Sequence, residues 1–242
     1  MQKIGKRAVS LWRTPWFISL LCILILLLGF AFRLSYVEST PYNVSKHDLG
    51  YGAGMDSERV GAGHLGYIEY IAKNGHLPDF DPTTKWSFYN PPFFHMTAAG
   101  ALALFSAAGM EDDAAWEGVQ YLPCLAIFAA TVGIWFALRA VGADKIPLLI
   151  GVTLAAFHPS LSYLSLALNN DAFSIAFTVW AVYFAFKWYE NPRWYYILPT
   201  AIAIGLGMMT KLTVALVAPS VALFFLWRFF RDKKYQIGRA HV

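Results

Sequence analysis

The sequence predicts an all-α integral membrane protein, with about six transmembrane helices and two juxtamembrane helices in a large first extracytoplasmic loop. Two observations indicate this class. Of the 242 residues, 57% are hydrophobic and only 14% are charged, and the hydrophobic residues gather in separate runs. A soluble domain has about 25% charged residues, because its surface is in contact with water. The composition therefore excludes an ordinary soluble enzyme, a disordered chain and a disulfide-stapled secreted module.

Seven hydrophobic runs are candidates for crossing the bilayer, since a spanning helix needs about 20 mostly apolar residues. They are 16–37, 93–109, 119–138, 146–168, 172–186, 195–209 and 212–227. The first run follows a basic N-terminus, but no small-residue cleavage site comes after it. We therefore interpret it as a retained anchor and not as a signal peptide.

The distribution of Lys and Arg decides which runs cross. The run 93–109 is the weakest candidate, because eight of its 17 residues are Ala or Gly. If this run lies along the interface, every basic loop falls on one side, which then has 13 basic and 3 acidic residues. Short basic loops stay in the cytoplasm. We therefore predict six spans in the cell membrane within one module, 1–242, and a cytoplasmic N-terminus.

The predicted topology divides the chain into three parts outside the spans. Residues 1–15 are cytoplasmic, 38–116 form the first extracytoplasmic loop and 229–242 form a cytoplasmic tail. The loop is predicted to be ordered, with two short helices on the membrane. Apolar and aromatic residues have helical spacing at 63–71, and Pro91 and Pro92 suit the start of the next helix.

The six-span arrangement brings three polar segments to the extracytoplasmic face. They are the loop 38–92, the turn 169–171 and the turn 210–211. Three consecutive polar side chains at membrane depth, such as those of the turn 169–171, are costly unless they line a wet cavity. We therefore expect a site at the outer membrane surface.

Several acidic residues and one lysine in these segments are candidates for catalysis or substrate binding, and a purely structural role is the alternative for each. Asp48 can accept a proton, although a loop aspartate often only stabilises a turn, and Asp56 and Glu58 are rival bases. Asp171 either faces the site or caps the helix that follows. Lys211 suits a lipid phosphate, but it can also extend to ordinary headgroups.

The histidines and cysteines indicate no metal site. No pair of histidines has the HxH or HxxxH spacing of metal ligands, so the cofactor stays unknown, and a divalent metal stays open without support from spacing. Cys22 and Cys124 lie inside apolar runs, where a thiol behaves as a small hydrophobic group. The net charge of +4 is not gathered on a soluble face, so we expect no nucleic-acid partner.

The order of these features resembles the GT-C glycosyltransferases, in particular the protein O-mannosyltransferase and aminoarabinose transferase branch. The chain has a long first loop with an early Asp48, an aromatic-Pro-Pro segment ending at Pro92, and later corners at Asp171 and Thr210-Lys211. The resemblance implies transfer of a sugar from a polyprenyl-phosphate donor to a protein, glycan or lipid acceptor at the extracytoplasmic face, in contact with membrane lipids. The alternative is a non-catalytic polytopic protein, such as a transporter or a lipid-binding or structural subunit.

The resemblance also implies roles for individual residues. Asp48 takes the position of the aspartate that activates the acceptor, although His47-Asp48 stands where the mannosyltransferases have an Asp-Glu pair, so Asp56 and Glu58 stay open as bases. The predicted substrate-binding residues are His47, His64, Tyr67, Tyr89, Asn90, His95, Asn170, Asp171 and Lys211. Because the chain ends soon after the sixth run, we expect a truncated N-terminal catalytic module, and its activity on its own stays open.

Overall fold

The computed structural model describes residues 14–43 and 61–239, and within these ranges the secondary structure is helical with no strand. The all-α class is thereby confirmed. The α-helices are α1 Pro15–Glu38, α2 Gly63–Asn74, α3 Phe93–Ala107, α4 Asp112–Ala140, α5 Lys145–Ala156, α6 Pro159–Leu164, α7 Asp171–Glu190, α8 Trp194–Met208 and α9 Val217–Arg239. Two short 3-10 helices are at Pro82–Thr84 and Leu212–Leu216.

Three helical stretches in the described ranges are long and apolar enough to cross a membrane: Trp16–Glu38, Asp112–Ala140 and Leu212–Arg231. Three further apolar helices are shorter: Phe93–Ala107, Lys145–Ala156 and Trp194–Met208. These lengths are typical of a membrane protein, whereas the count of six spans stays a prediction.

The run 146–168, which we predicted as one span, is divided into two helices. Helix α5 ends at Ala156 and α6 begins at Pro159. The ring of a proline disfavours a helical conformation of the residue before it, and His158 is extended, with ψ 123°, so the helix is interrupted there. The place of Pro159 in the first turn of α6 is one that proline readily occupies.

Helices α4 and α7 run parallel and form the centre of the bundle. Val119 and Leu168 share a core near the start of both helices, and the rings of Phe136 and Tyr183 lie 5.7 Å apart near their ends. Gly133 permits the close approach, because a Cβ atom there would lie 2.8 Å from Cγ1 of Val179. Helices α1 and α5 pack against α4, and α8 and α9 pack against α7.

The bundle has two chemically different ends. The polar end is where α4 and α7 begin, and it contains residues 86–95, 169–171 and 209–211. The basic end is where α4 and α7 finish, and it contains Arg139 and Lys187. The two helices predicted in the first loop are present as α2 and α3, and they pack on each other at the polar end through Ile68 and Phe94.

Helix α1 carries a fully buried cation, Arg33, which is 0% exposed. Its Nη2 donates to the carbonyl oxygen of Ala155, 3.0 Å away, in the last turn of α5. Gly29 allows α1 to come this close, since a Cβ atom there would lie 2.8 Å from the oxygen of Ala156. A cation is favourable beside the carbonyls at a helix C-terminus, so Arg33 ties α1 to the break between α5 and α6.

Candidate functional site

An ion pair at the polar end connects the start of α7 with the turn that follows α8. Asp171 is the first residue of α7, and Lys211 follows α8. The Lys211 ammonium donates to Oδ1 of Asp171. The pair is partly accessible, with 32% of the lysine side chain and 20% of the aspartate side chain exposed. The structure therefore places an ammonium and a carboxylate where a ligand at the polar end can reach them.

Asn170 connects three segments that are far apart in sequence. Its Nδ2 donates to the backbone oxygen of Thr210 at 2.9 Å and to Oδ1 of Asn90 at 3.3 Å. The backbone N–H of Phe93 donates to the oxygen of Met209 at 2.9 Å. Asn170 is only 1% exposed; its bond to Thr210 is buried and its bond to Asn90 is partly buried. The predicted residues Asn90, Asn170, Asp171 and Lys211 therefore belong to one network.

The alternative interpretation of Asp171 as a helix cap does not hold. The cap position of α7 is Asn170, whose side chain makes no capping bond, and Asp171 is the first helical residue. Its backbone N–H is instead satisfied by Oδ1 of Asn169, 3.0 Å away. The carboxylate still lies at the N-terminus of α7, where the helix dipole stabilises a negative charge.

His64 and His95 form a buried pair beside this network. Nδ1 of His64 lies 2.8 Å from Nε2 of His95, and the two rings are nearly parallel, at 8°. Tyr67 stacks on His95, with ring centroids 4.3 Å apart. Burial lowers the pKa of His95 well below its ordinary value, and the charge of His64 lowers it further. The His95 ring is therefore neutral at pH 7, and it can donate one hydrogen bond and accept another.

Tyr89 and Asn90, in the segment before α3, differ in exposure and in bonding. Asn90 is held by a tight turn, in which its Nδ2 donates to the oxygen of Ser87 at 2.9 Å. Ser87 adopts a φ of 66°, which is uncommon for a residue with a side chain. Tyr89 is 51% exposed and contacts Trp86 edge-on, with centroids 6.0 Å apart. Asn90 thus points into the network, and the Tyr89 ring is accessible at its border.

Four of the predicted residues cannot be placed. His47, Asp48, Asp56 and Glu58 lie outside the described residues, so the assignment of the base stays a prediction. Within the ranges 14–43 and 61–239, no group of three or more His, Cys, Asp or Glu side chains is arranged to hold a metal ion.

Gln120 is a residue of this region that the sequence analysis missed. It lies in α4 and is 0% exposed. Its Nε2 donates to the backbone oxygens of Thr40 and Leu166, both at 3.1 Å. Gln120 therefore holds the end of α1 and the segment that leads to Asn169. A glutamine within the predominantly apolar run 119–138 was the available signal, because a polar side chain at membrane depth needs a partner.

An apolar groove runs along two of the helices that leave the ion pair. It has a volume of about 220 Å³ and lies between α7 and α9, where its lining includes Val182, Phe186, Val221 and Phe224. Helix α7 begins at Asp171, and α9 follows Lys211 after the short 3-10 helix. The groove is therefore lined by two helices, α7 and α9, that begin at Asp171 and a few residues after Lys211.

The fold and this network define a helical membrane protein whose polar side chains meet at one end of its helices. A family model described as dolichyl-phosphate-mannose-protein mannosyltransferase matches residues 89–240, more than half of the chain. The chain belongs to this family of membrane glycosyltransferases, and the resemblance seen in the sequence is confirmed. No curated protein and no solved structure matches the chain. The matched range contains Asn90, Asn170, Asp171 and Lys211.

Proposed function

We propose that the protein transfers a sugar, with mannose as the first candidate, from a polyprenyl-phosphate donor to an acceptor at the extracytoplasmic face of the cell membrane. Family membership supports sugar transfer. The observation that carries the rest is the ion pair of Lys211 with Asp171, joined by Asn170 to the segment before α3. It provides a fixed cation for a phosphate at one end of a membrane bundle.

The proposed reaction is a single displacement with inversion at the anomeric carbon. The acceptor hydroxyl gives its proton to Asp48, or to Asp56 or Glu58, and its oxygen bonds to the anomeric carbon. The bond between that carbon and the phosphate oxygen breaks, and polyprenyl phosphate leaves with the bonding electrons. Negative charge develops on the phosphate, so a positioned cation lowers the barrier.

Lys211 is the residue we assign to the leaving phosphate. An ammonium has three N–H donors, and Asp171 accepts one of them. The other two remain suited to phosphate oxygens, in the short charge-assisted bonds that such groups form. Asp171 has a positioning role in this proposal: it holds the ammonium at the corner before the donor arrives.

The sugar is proposed to bind beside the ion pair. Asn90, Asn170 and the pair His64–His95 contain both donors and acceptors, which sugar hydroxyl groups need. The exposed ring of Tyr89 is a flat surface for the apolar face of a sugar ring. We also keep His47 and Tyr67 as substrate-binding residues, with Tyr67 acting through its stacking on His95.

The lipid part of the donor is proposed to follow the groove between α7 and α9. The lining of this groove is apolar, as burial of an isoprenoid chain requires. The proposal includes the six-span topology, with the polar end extracytoplasmic and the basic end cytoplasmic. A donor in the outer leaflet then has its tail in the bilayer and its phosphate at Lys211.

The test uses the full chain in membranes with a labelled polyprenyl-phosphate mannose donor, and it measures label transferred to acceptor. We expect Asp48→Asn and Lys211→Ala each to lower transfer at least about 100-fold, since loss of a base or of a transition-state charge has this effect. Lys73→Ala is the matched control, because Lys73 is also paired with a carboxylate, Glu69, but away from the ion-pair corner.

Two outcomes distinguish a wrong assignment of residues from a wrong proposed function. Wild-type transfer by both Asp48→Asn and Lys211→Ala removes the assigned roles. A folded wild-type chain that transfers no sugar from any polyprenyl-phosphate donor refutes the proposed function.

A further inference from the structure

The basic end contains a cavity of about 300 Å³ between the last turns of α4 and α7. Its lining is Phe136, Arg139 and Ala140 from α4 and Tyr183, Lys187 and Glu190 from α7. We propose that this cavity binds the headgroup of an anionic phospholipid. The cavity is at the opposite end of the bundle from the ion pair of Lys211, so this site is separate from the proposed transfer reaction.

The charged residues of the cavity favour an anion. Arg139 and Lys187 supply two positive charges, and Glu190 supplies one negative charge, which leaves a net charge of +1. Arg139 donates from Nη1 to Oγ of Ser19 at 3.2 Å, and Lys187 donates to Glu190. A guanidinium has five N–H donors and an ammonium has three. Both residues therefore retain donors with which to bind phosphate oxygens while keeping these bonds.

Aromatic rings line the side of the cavity that is further from the basic end. Phe136 precedes Arg139 by about one helical turn, and Tyr183 precedes Lys187 by about one turn, so both rings lie closer to the middle of the helices. Their centroids are 5.7 Å apart. Aromatic side chains favour the boundary between headgroups and acyl chains. The cavity thus has cations at headgroup level above aromatic rings, which matches the order of phosphate, glycerol and acyl chain in a phospholipid.

The orientation proposed above places this end at the cytoplasmic leaflet, where anionic lipids attract basic pockets between helices. This placement rests on the proposed function, but binding of a phospholipid does not depend on it. The simpler explanation is that Arg139 and Lys187 only complement the dipoles at the ends of α4 and α7. That explanation requires no ligand and predicts no preference for one lipid headgroup.

The experiment measures binding of phosphatidylglycerol and phosphatidylcholine to the purified full chain in a neutral detergent, by native mass spectrometry. We expect tighter binding of phosphatidylglycerol by the wild type. Arg139→Gln and Lys187→Gln should each weaken phosphatidylglycerol binding about fivefold, as expected from about 1 kcal/mol for one basic residue near an anionic lipid. Glu190→Gln should strengthen it by a similar factor, because the net charge of the cavity rises.

The matched control is Arg193→Gln. Arg193 lies just beyond α7 and donates to Asn191, but it does not line the cavity. We expect its phosphatidylglycerol binding to stay within about twofold of the wild type, because it removes the same charge outside the cavity. Equal losses in Arg193→Gln and Arg139→Gln, or equal binding of both lipids by the wild type, would overturn the proposal. Thermal unfolding of each variant with phosphatidylcholine checks that it is folded, and no readout depends on sugar transfer.

Discussion

The polar end and the basic end of the bundle are both rich in hydrogen bonds, but the bonds differ in reach and burial. At the polar end, Asn170 bonds to residues 40 and 80 positions away in the chain, and one of these bonds is buried. At the basic end, Lys187 bonds to Glu190, three positions away, with 30% and 42% of the two side chains exposed. The bonds of Arg139 to Ser19 and of Arg231 to Tyr189 connect different helices there, but both are exposed.

This difference indicates different tasks. Buried bonds between distant segments hold side chains at fixed positions, which a reaction requires. Exposed pairs of long side chains contribute little to stability and exchange partners at low cost. The polar end therefore holds its side chains in fixed positions, as the proposed reaction needs, and the basic end has exposed cations that can rearrange around the proposed lipid headgroup.

The largest expected effect is a loss of sugar transfer, and it distinguishes the role of Asp171 from that of Lys211. In Asp171→Asn the ammonium of Lys211 stays, so we expect transfer to fall by about tenfold, less than the loss of at least about 100-fold in Lys211→Ala. The double variant should be no less active than Lys211→Ala alone, since both changes act on one group. Rates of label transfer from the polyprenyl-phosphate donor measure all three. An Asp171→Asn variant that is folded and as inactive as Lys211→Ala would give Asp171 a direct role in the reaction.

The next expected effect is a change in the free energy of unfolding, which should be larger for a variant at the polar end than for one at the basic end. Asn170→Ala leaves the buried oxygen of Thr210 without its side-chain donor, so we expect the free energy of unfolding to fall by about 1–3 kcal/mol. Lys187→Ala removes an exposed ion pair and should cost only about 0.3–0.5 kcal/mol. Denaturant unfolding in a neutral detergent measures both. Equal losses in the two variants would contradict the distinction between the two ends.

The smallest effect is a pH dependence at the polar end. Burial lowers the pKa of His95 in the folded protein, whereas the unfolded chain has the ordinary value of about 6.5. Below pH 6.5 the unfolded chain therefore binds a proton that the folded protein does not. The free energy of unfolding should fall with decreasing pH by at most about 1.4 kcal/mol per pH unit, until the folded pKa is reached.

The variant His95→Phe should lose this contribution, because it removes the titrating ring and keeps an aromatic side chain against Tyr67. His76→Gln is the control: His76 is exposed, and its removal should leave the slope unchanged. The measurement is denaturant unfolding at several pH values between 5 and 7.5. A slope in His95→Phe equal to that of the wild type would show that another group causes the pH dependence.

Several features of the site were predictable because they are local in sequence. The polar corners at 169–171 and 210–211 interrupt apolar runs, and two consecutive prolines mark the start of α3. The break between α5 and α6 was missed, although Pro159 was visible, because apolar residues are frequent on both sides of the short segment His158-Pro159-Ser160. The bond of Gln120 to Leu166 was missed because nothing in the sequence around either residue indicates that they meet.

Composition and the spacing of hydrophobic residues were sufficient to predict a helical, apolar chain suited to a bilayer, because these properties depend on residues close together in the chain. The sequence also contains the motifs that assign the chain to its family. Three contacts became known only from the packing of the helices: Asp171 with Lys211, His95 with His64, and Arg33 with the carbonyl of Ala155. Each of these contacts joins residues from distant segments of the chain, and their meeting depends on how whole helices pack and not on the residues beside them in the chain.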